Sequence, residues 1–311
     1  MSLGVLFPGQ GSQFVGMGAE LFESRPDLLG APADELLGWS LRELCLEGPE
    51  ESLTRTEHAQ VALYAVSYAL WEAFRATYKG PVTAAAGHSL GEYTALCAAG
   101  ALSYSDGLRV VALRGEAMAS AADVEPSGMA ALIGADADRA EEVARKGRDR
   151  GGRIEVANIN APGQVVMAGS EEDMAWLAEQ GRDLGLRRVI PLKVAGAFHS
   201  SFMEPAADEV SDALATVSFS EPAFPVWSNT TARPHDRDEL ANTLRAQVVS
   251  TVRFEESLRD MAAKGVDTFV HVGPGDVTAG LARRTVDGAT VHVVSEVADI
   301  PDVADALVTV T

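Results

Sequence analysis

Gly87-His88-Ser89-Leu90-Gly91 constrains this chain more than any other stretch. Before it runs Val82-Thr83-Ala84-Ala85-Ala86, short, uncharged and suited to a buried strand. After it, Glu92 to Ala99 is helix-favouring material that Gly100 can end. A G-x-S-x-G between strand and helix is a nucleophile elbow. The glycines let the turn close tightly, so the Ser89 hydroxyl stands clear of the backbone. At the helix start the Leu90 N–H is then free to face an oxyanion. Strands alternating with helices around this elbow predict a mostly parallel α/β core.

A chain of 311 residues is long for one core, so a large domain with a smaller insert is expected. Hydrophobic residues at 47% and charged residues at 23% give an ordinary globular balance. No apolar run reaches membrane-spanning length, and Met1-Ser2-Leu3-Gly4 lacks a basic leader region, which predicts a cytoplasmic protein with no membrane partner. Cys45 and Cys97 both lie in apolar helical contexts, which argues against a disulfide framework or a metal cluster. The net charge of −20 argues against nucleic acid as a partner.

Val5-Leu6-Phe7 reads as a short strand running into Pro8-Gly9-Gln10-Gly11-Ser12-Gln13. This loop either brings its backbone to a ligand or makes a tight turn before a helix; the Lys and Ser/Thr of a phosphate cradle are missing. Residues 14–75 read as mainly helical, interrupted at Pro26, Pro32 and Pro49, with Gln60 to Phe74 a core helix. Ser105-Asp106 is the expected cap of a helix over about 107–119, on which Arg114 has Val110, Val111, Ala117 and Met118 as neighbours. A guanidinium in an apolar stripe needs an acceptor. That acceptor is either structural, a carboxylate or a backbone carbonyl, or a substrate carboxylate held by a bidentate fork.

From about residue 126 the pattern becomes β-α-β-β-α-β. Strands are expected at Gly128 to Gly134, Arg153 to Asn158, Gln164 to Ala168 and Arg188 to Val194, with helices at Asp138 to Arg150 and Glu171 to Gly185. This order is that of a ferredoxin-like unit. The expected division is a discontinuous hydrolase-like catalytic domain, 1–125 and 196–311, with residues 126–195 inserted, and a substrate cleft between the two. Next, His199 sits at the domain junction before a helix starting near Phe202. A lone histidine there is structural or catalytic. Asp238 to Val248 is expected to be helical and to carry Gln247, Val266 to Val272 is a strand leading into the Gly273-Pro274-Gly275 turn, and Val291 to Val294 is a last strand.

Pro8 to Gln13, the elbow, Arg114 and Ala197-Phe198-His199-Ser200 together resemble the malonyl-CoA:acyl carrier protein transacylase family over essentially the whole chain. This family includes the fatty-acid enzyme and discrete acyltransferases that serve polyketide synthases in trans. The resemblance implies Ser89 as nucleophile, His199 as base and then acid, and the backbone carbonyl of Gln247 as the group that fixes the imidazole. It further implies an oxyanion hole from the N–H groups of Gln10 and Leu90, Arg114 as holder of the malonyl carboxylate, and His88 as a supporting residue on the far side of the elbow. Phe198 before the histidine goes with malonyl; a smaller residue goes with methylmalonyl.

The implied partners are malonyl-CoA and an acyl carrier protein, with no metal or other cofactor and a monomeric enzyme. Acidic carriers would need a local basic patch, for which Arg187, Arg188, Arg283 and Arg284 are candidates. Two rivals share the scaffold, an editing acyl hydrolase and a non-catalytic docking subunit. Three positions depart from the family pattern. Val61 follows Gln60 where proline is common, Thr251 replaces a proline after Gln247, and His271 precedes the Gly273 turn where an acidic residue is usual.

Overall fold

The computed structural model describes residues 2–309; Met1 and residues 310–311, part of the sequence-based division of the chain, lie outside them. The described strands are β1 Leu3–Phe7, β2 Ala84–Gly87, β3 Ser127–Ile133, β4 Ile154–Ala161, β5 Gln164–Ser170, β6 Arg188–Pro191, β7 Val226–Trp227, β8 Val252–Arg253, β9 Thr268–Val272 and β10 Thr290–Val294.

The first sheet is wholly parallel, in the order β10-β9-β1-β2-β7. Its central strands are buried on both faces, which is why β1, β2 and β9 read as uncharged runs rather than as alternating patterns. Register carries the functional consequence. Phe7 pairs with Gly87 and Leu6 with His271, so the loops after β1, β2 and β9 leave the sheet side by side. These are Pro8–Gln13, the elbow and the Gly273 turn. Ligands of parallel α/β sheets bind outside such carboxyl ends. The helix Thr56–Thr77 packs beside the helix Tyr104–Val124, and residues of both share one buried cluster with Val5, Phe7 and Ala85 of the sheet.

The second sheet has the order β6-β3-β5-β4-β8. Its first four strands are antiparallel, and the helices Ala137–Asp149 and Glu171–Gln180 close a separate small core of Leu132, Val143, Ile154, Met167 and Leu177. The expected ferredoxin-like unit is present. Its fifth strand was not foreseen, because β8 comes from far along the chain and pairs in parallel with β4 through Asn158 and Val252.

Several element limits are corrected. Ser103, not Ser105-Asp106, caps the helix Tyr104–Val124, accepting from the Asp106 N–H at 3.1 Å. β4 runs past its expected end at Asn158 to Ala161, leaving Pro162-Gly163 as the turn into β5, while the helix Glu171–Gln180 stops well before the expected Gly185. The helices Phe254–Ala263, Val277–Thr285 and Ile300–Thr309 were not anticipated. Among the described residues no helix is long and apolar enough to cross a membrane.

Candidate active site

Ser89 sits at φ 52, a left-handed backbone that non-glycine residues adopt at a cost of roughly 1–3 kcal/mol. The elbow tolerates it because glycines surround it. A Cβ on Gly87 would lie 1.9 Å from the Gly91 carbonyl carbon, and one on Gly9 would lie 2.4 Å from the His88 carbonyl oxygen. The second contact shows how tightly the first loop lies on the elbow, and Gln10 and Leu90 both line the cleft beside Ser89. Among the described residues neither the Gln10 N–H nor the Leu90 N–H has a hydrogen-bond partner. Ser89's own N–H is taken by Asn229 Oδ1 at 2.7 Å, so it is not available to a substrate.

Ser89 Oγ lies 2.8 Å from His199 Nε2, and His199 Nδ1 lies 2.9 Å from the Gln247 carbonyl oxygen. A carbonyl only accepts, so Nδ1 carries a proton and Nε2 is left with a lone pair facing the serine hydroxyl. Burial, reinforced by the Arg114 charge, pushes His199 down to about 3 against the opposing pull of the Gln247 carbonyl. The imidazole is therefore a neutral base at neutral pH. His199 also has a positive φ, 58.

Arg114 is fully buried. Its Nη1 donates to Gln60 Oε1, and its Nη2 donates to Ser89 Oγ at 3.1 Å and Gln247 Oε1 at 3.0 Å. Its guanidinium lies 5.5 Å from the centre of the Tyr93 ring, and its Nε has no partner. Among the described residues no carboxylate pairs with it directly. Its structural acceptors are two glutamine side chains rather than the carboxylate or backbone carbonyl expected of a structural partner, and they hold the fork at the edge of an open cleft.

That cleft lies between the two sheets, open to solvent, with a volume of about 260 Å³. Phe198, Met118 and Met129 line its inner part, and Leu192, Lys193 and Val277 its mouth. His88 also lines it, which corrects the expectation that it turns away. Its Nε2 lies 2.7 Å from Asn160 Oδ1 on β4, tying the elbow to the second sheet. Burial pushes His88 down as well.

The unusual positions find structural explanations. Val61 continues the helix Thr56–Thr77, fully buried. Thr251 donates to the Val156 carbonyl at 2.6 Å, holding the segment between Gln247 and β8 against β4. His271 bridges Thr278 Oγ1 at 2.6 Å and the Gly273 carbonyl at 2.9 Å, bracing the turn. Arg284 is not a free surface cation: it donates to Gln164 Oε1 at 2.6 Å and the Pro162 carbonyl at 3.1 Å, and Arg283 reaches the Val291 carbonyl at 3.2 Å. Arg187 and Arg188 are exposed.

Reading the sequence missed Glu92, Asn229 and His235 as site residues. They form a buried layer under the elbow in which Gln247 Nε2 meets Glu92 Oε2 at 2.6 Å and Asn229 Nδ2 meets the Gly87 carbonyl at 2.7 Å. The available signal was one charge, Glu92, in an otherwise apolar helix. Among the described residues, no group of three or more His, Cys, Asp or Glu side chains is gathered as a metal site.

A parallel sheet, a strained elbow serine and a carbonyl-oriented histidine define an acyl-transferring α/β protein. Residues 5–309 match the acyl transferase domain family, and the chain belongs to it. It is similar to the malonyl CoA-acyl carrier protein transacylase of Bacillus subtilis, with 42% identity across 90% of this chain and 89% of that one. A polyketide biosynthesis malonyl CoA-acyl carrier protein transacylase of Bacillus velezensis is 40% identical across 90% of this chain and 95% of its own. Among solved structures, a malonyl-transacylase in complex with its type II polyketide synthase acyl-carrier protein superposes with a TM-score of 0.92 at 32% identity, covering 98% of this chain and 100% of that one.

Proposed function

We propose that this chain moves a malonyl group from coenzyme A to the phosphopantetheine thiol of an acyl carrier protein, through an ester on Ser89. His199 Nε2 takes the Ser89 proton as Oγ attacks the thioester carbonyl. The oxygen's negative charge falls on the Gln10 and Leu90 N–H groups. Collapse breaks the C–S bond, and His199 returns the proton to the departing coenzyme A sulfur. The carrier thiol then gives its proton to His199 as its sulfur attacks the ester, and Ser89 recovers that proton on leaving.

One observation carries the choice of acyl group. Arg114 is a buried cation with no direct counter-carboxylate, donating to the nucleophile's own oxygen at 3.1 Å. A malonyl carboxylate supplies the missing anion within reach of the reacting carbonyl. An uncarboxylated acyl group, including the cargo of an editing hydrolase, would bring no anion into direct contact with the guanidinium. Phe198 in the cleft wall favours malonyl over a branched acyl. The exposed Arg187 and Arg188, with Lys193 at the mouth, offer the positive surface an acidic carrier needs. The same reading has the enzyme working in the cytoplasm as a monomer with no metal or cofactor beyond the thioester, and 126–195 as a subdomain inserted between 1–125 and 196–311.

The test is intact mass after brief mixing with malonyl-CoA, beside acetyl-CoA and methylmalonyl-CoA. A malonyl adduct that is lost in Ser89→Ala and discharged by phosphopantetheinylated carrier is the expected result. An adduct only with acetyl-CoA would overturn the reading.

A further inference from the structure

Glu92 takes no part in the steps above, yet the hydrogen bonds on both backbone groups of Ser89 lead to it. It is fully buried. Its Oε2 accepts from the Asn229 N–H at 3.1 Å and the Gln247 Nε2–H at 2.6 Å, and its Oε1 lies 2.6 Å from His235 Nε2. Asn229 Oδ1 in turn accepts the Ser89 N–H, and Gln247 Nε2 donates to the Ser89 carbonyl at 2.9 Å. Both backbone polar groups of the strained serine therefore lead back to one carboxylate oxygen.

The hydrogen-bond pattern assigns the protons. Oε2 receives two N–H donors and carries none. At Oε1 either His235 donates Nε2–H to a carboxylate, or a carboxylic acid donates to the imidazole. The second arrangement, like an imidazolium, would put a proton on Nδ1, which is buried with no partner. An orphaned buried donor is costly, whereas an orphaned lone pair is tolerated better. Glu92 is thus ionised and His235 neutral.

That anion and the Arg114 cation are separated by a single amide. Gln247 presents Oε1 to the guanidinium and Nε2 to the carboxylate, and between a cation and an anion an amide has only this orientation. The same residue's backbone carbonyl receives His199 Nδ1. We propose that Glu92 is the positioning residue of this site. Its charge locks the Gln247 amide, and through Gln247 it aligns His199 and balances the field of Arg114 where the acyl carboxylate binds. The catalytic half of this inference rests on the function proposed above.

The test is Glu92→Gln in the full chain, with circular dichroism and thermal unfolding measured alongside kinetics on malonyl-CoA and acetyl-CoA. We expect a folded protein whose kcat for malonyl transfer falls tenfold or more, because the amide no longer has one orientation. KM for malonyl-CoA should fall threefold or more, since Arg114 loses its balancing anion, while KM for acetyl-CoA stays put. A purely structural role lowers the active fraction alone. So kcat loss matching the loss of folded protein at unchanged KM, or both constants within twofold of native, would overturn the proposal. Should Glu92→Gln not fold, 15N NMR of the native chain decides, with the ring assigned through His235→Gln. The neutral Nε2–H tautomer of His235 is expected; the Nδ1–H tautomer or an imidazolium overturns it. The tautomer does not depend on which acyl group is transferred, so a native enzyme inactive on malonyl-CoA would refute the function and leave this readout standing.

Discussion

The two sheets divide the labour unequally. Ser89, Leu90, Gln10, Arg114, His199 and Gln247 all lie outside the ferredoxin-like unit, on segments that surround the parallel sheet. Their hydrogen bonds are buried or part-buried and run from one catalytic candidate to the next. The second sheet supplies wall and mouth instead, through residues such as Met129, Asn160 and Val166, and it carries the exposed Arg187 and Arg188. Bond making needs groups fixed within fractions of an ångström, which burial and shared hydrogen bonds provide. Choosing a carrier needs surface charge, which acts at longer range and tolerates movement.

The comparison breaks first at Ser89. Ser89→Ala should abolish the acyl adduct and lower transfer by about 10⁴-fold or more, read by mass and by carrier acylation. Arg114→Ala comes next. Losing one partner of a buried charged contact costs roughly 2–5 kcal/mol, so malonyl acylation should drop about 10²- to 10³-fold while acetyl-CoA is spared. If both thioesters lose equally, Arg114 serves the serine rather than the acyl carboxylate.

Acid should expose the buried half before the surface half. His199 is pushed down to about 3 and His271 to about 4 by burial, both below the ordinary value of about 6.5. The unfolded chain therefore binds these protons first. Their contribution to stability is complete above about pH 6.5 and is lost as pH falls toward the folded values. Thermal unfolding followed from pH 8 to 4 should show a falling midpoint, steepest below about 6.5; a flat profile would mean these imidazoles are hydrated.

The mildest effects belong to the second sheet. Arg187→Glu with Arg188→Glu should slow transfer to the carrier about three- to tenfold, with a weaker salt dependence, and leave acylation by malonyl-CoA alone. Arg284→Glu separates docking from structure. It breaks the tie to Gln164 and Pro162, so it should lower the unfolding midpoint by a few degrees, for a loss of about 1 kcal/mol, without that selective carrier defect.

What the sequence disclosed follows from locality. The elbow, the ferredoxin-like order and the long helices are written in contiguous residues, and the structure reproduces them. The two-residue strands β7 and β8 escaped because their pairing partners, not their own residues, make them strands. Arg114 could be singled out as a charge in an apolar stripe, but its glutamine partners lie 54 and 133 residues away. Glu92 was the same kind of signal, a buried charge, and was read only as helix-forming. His88 was assigned the wrong side of the elbow because its orientation is set by Asn160 on the other sheet.

The pairing of β8 with β4 joins these regions. Val252 and Arg253, only a few residues beyond the carbonyl that holds His199, are a strand of the second sheet, and Thr251 is fastened to the same β4. The segment that holds His199 and the second sheet that walls the cleft are thus stitched together. A displacement of β4 would therefore be passed to the carbonyl that orients His199, so that a disturbance of the cleft wall is felt at the base beside Ser89.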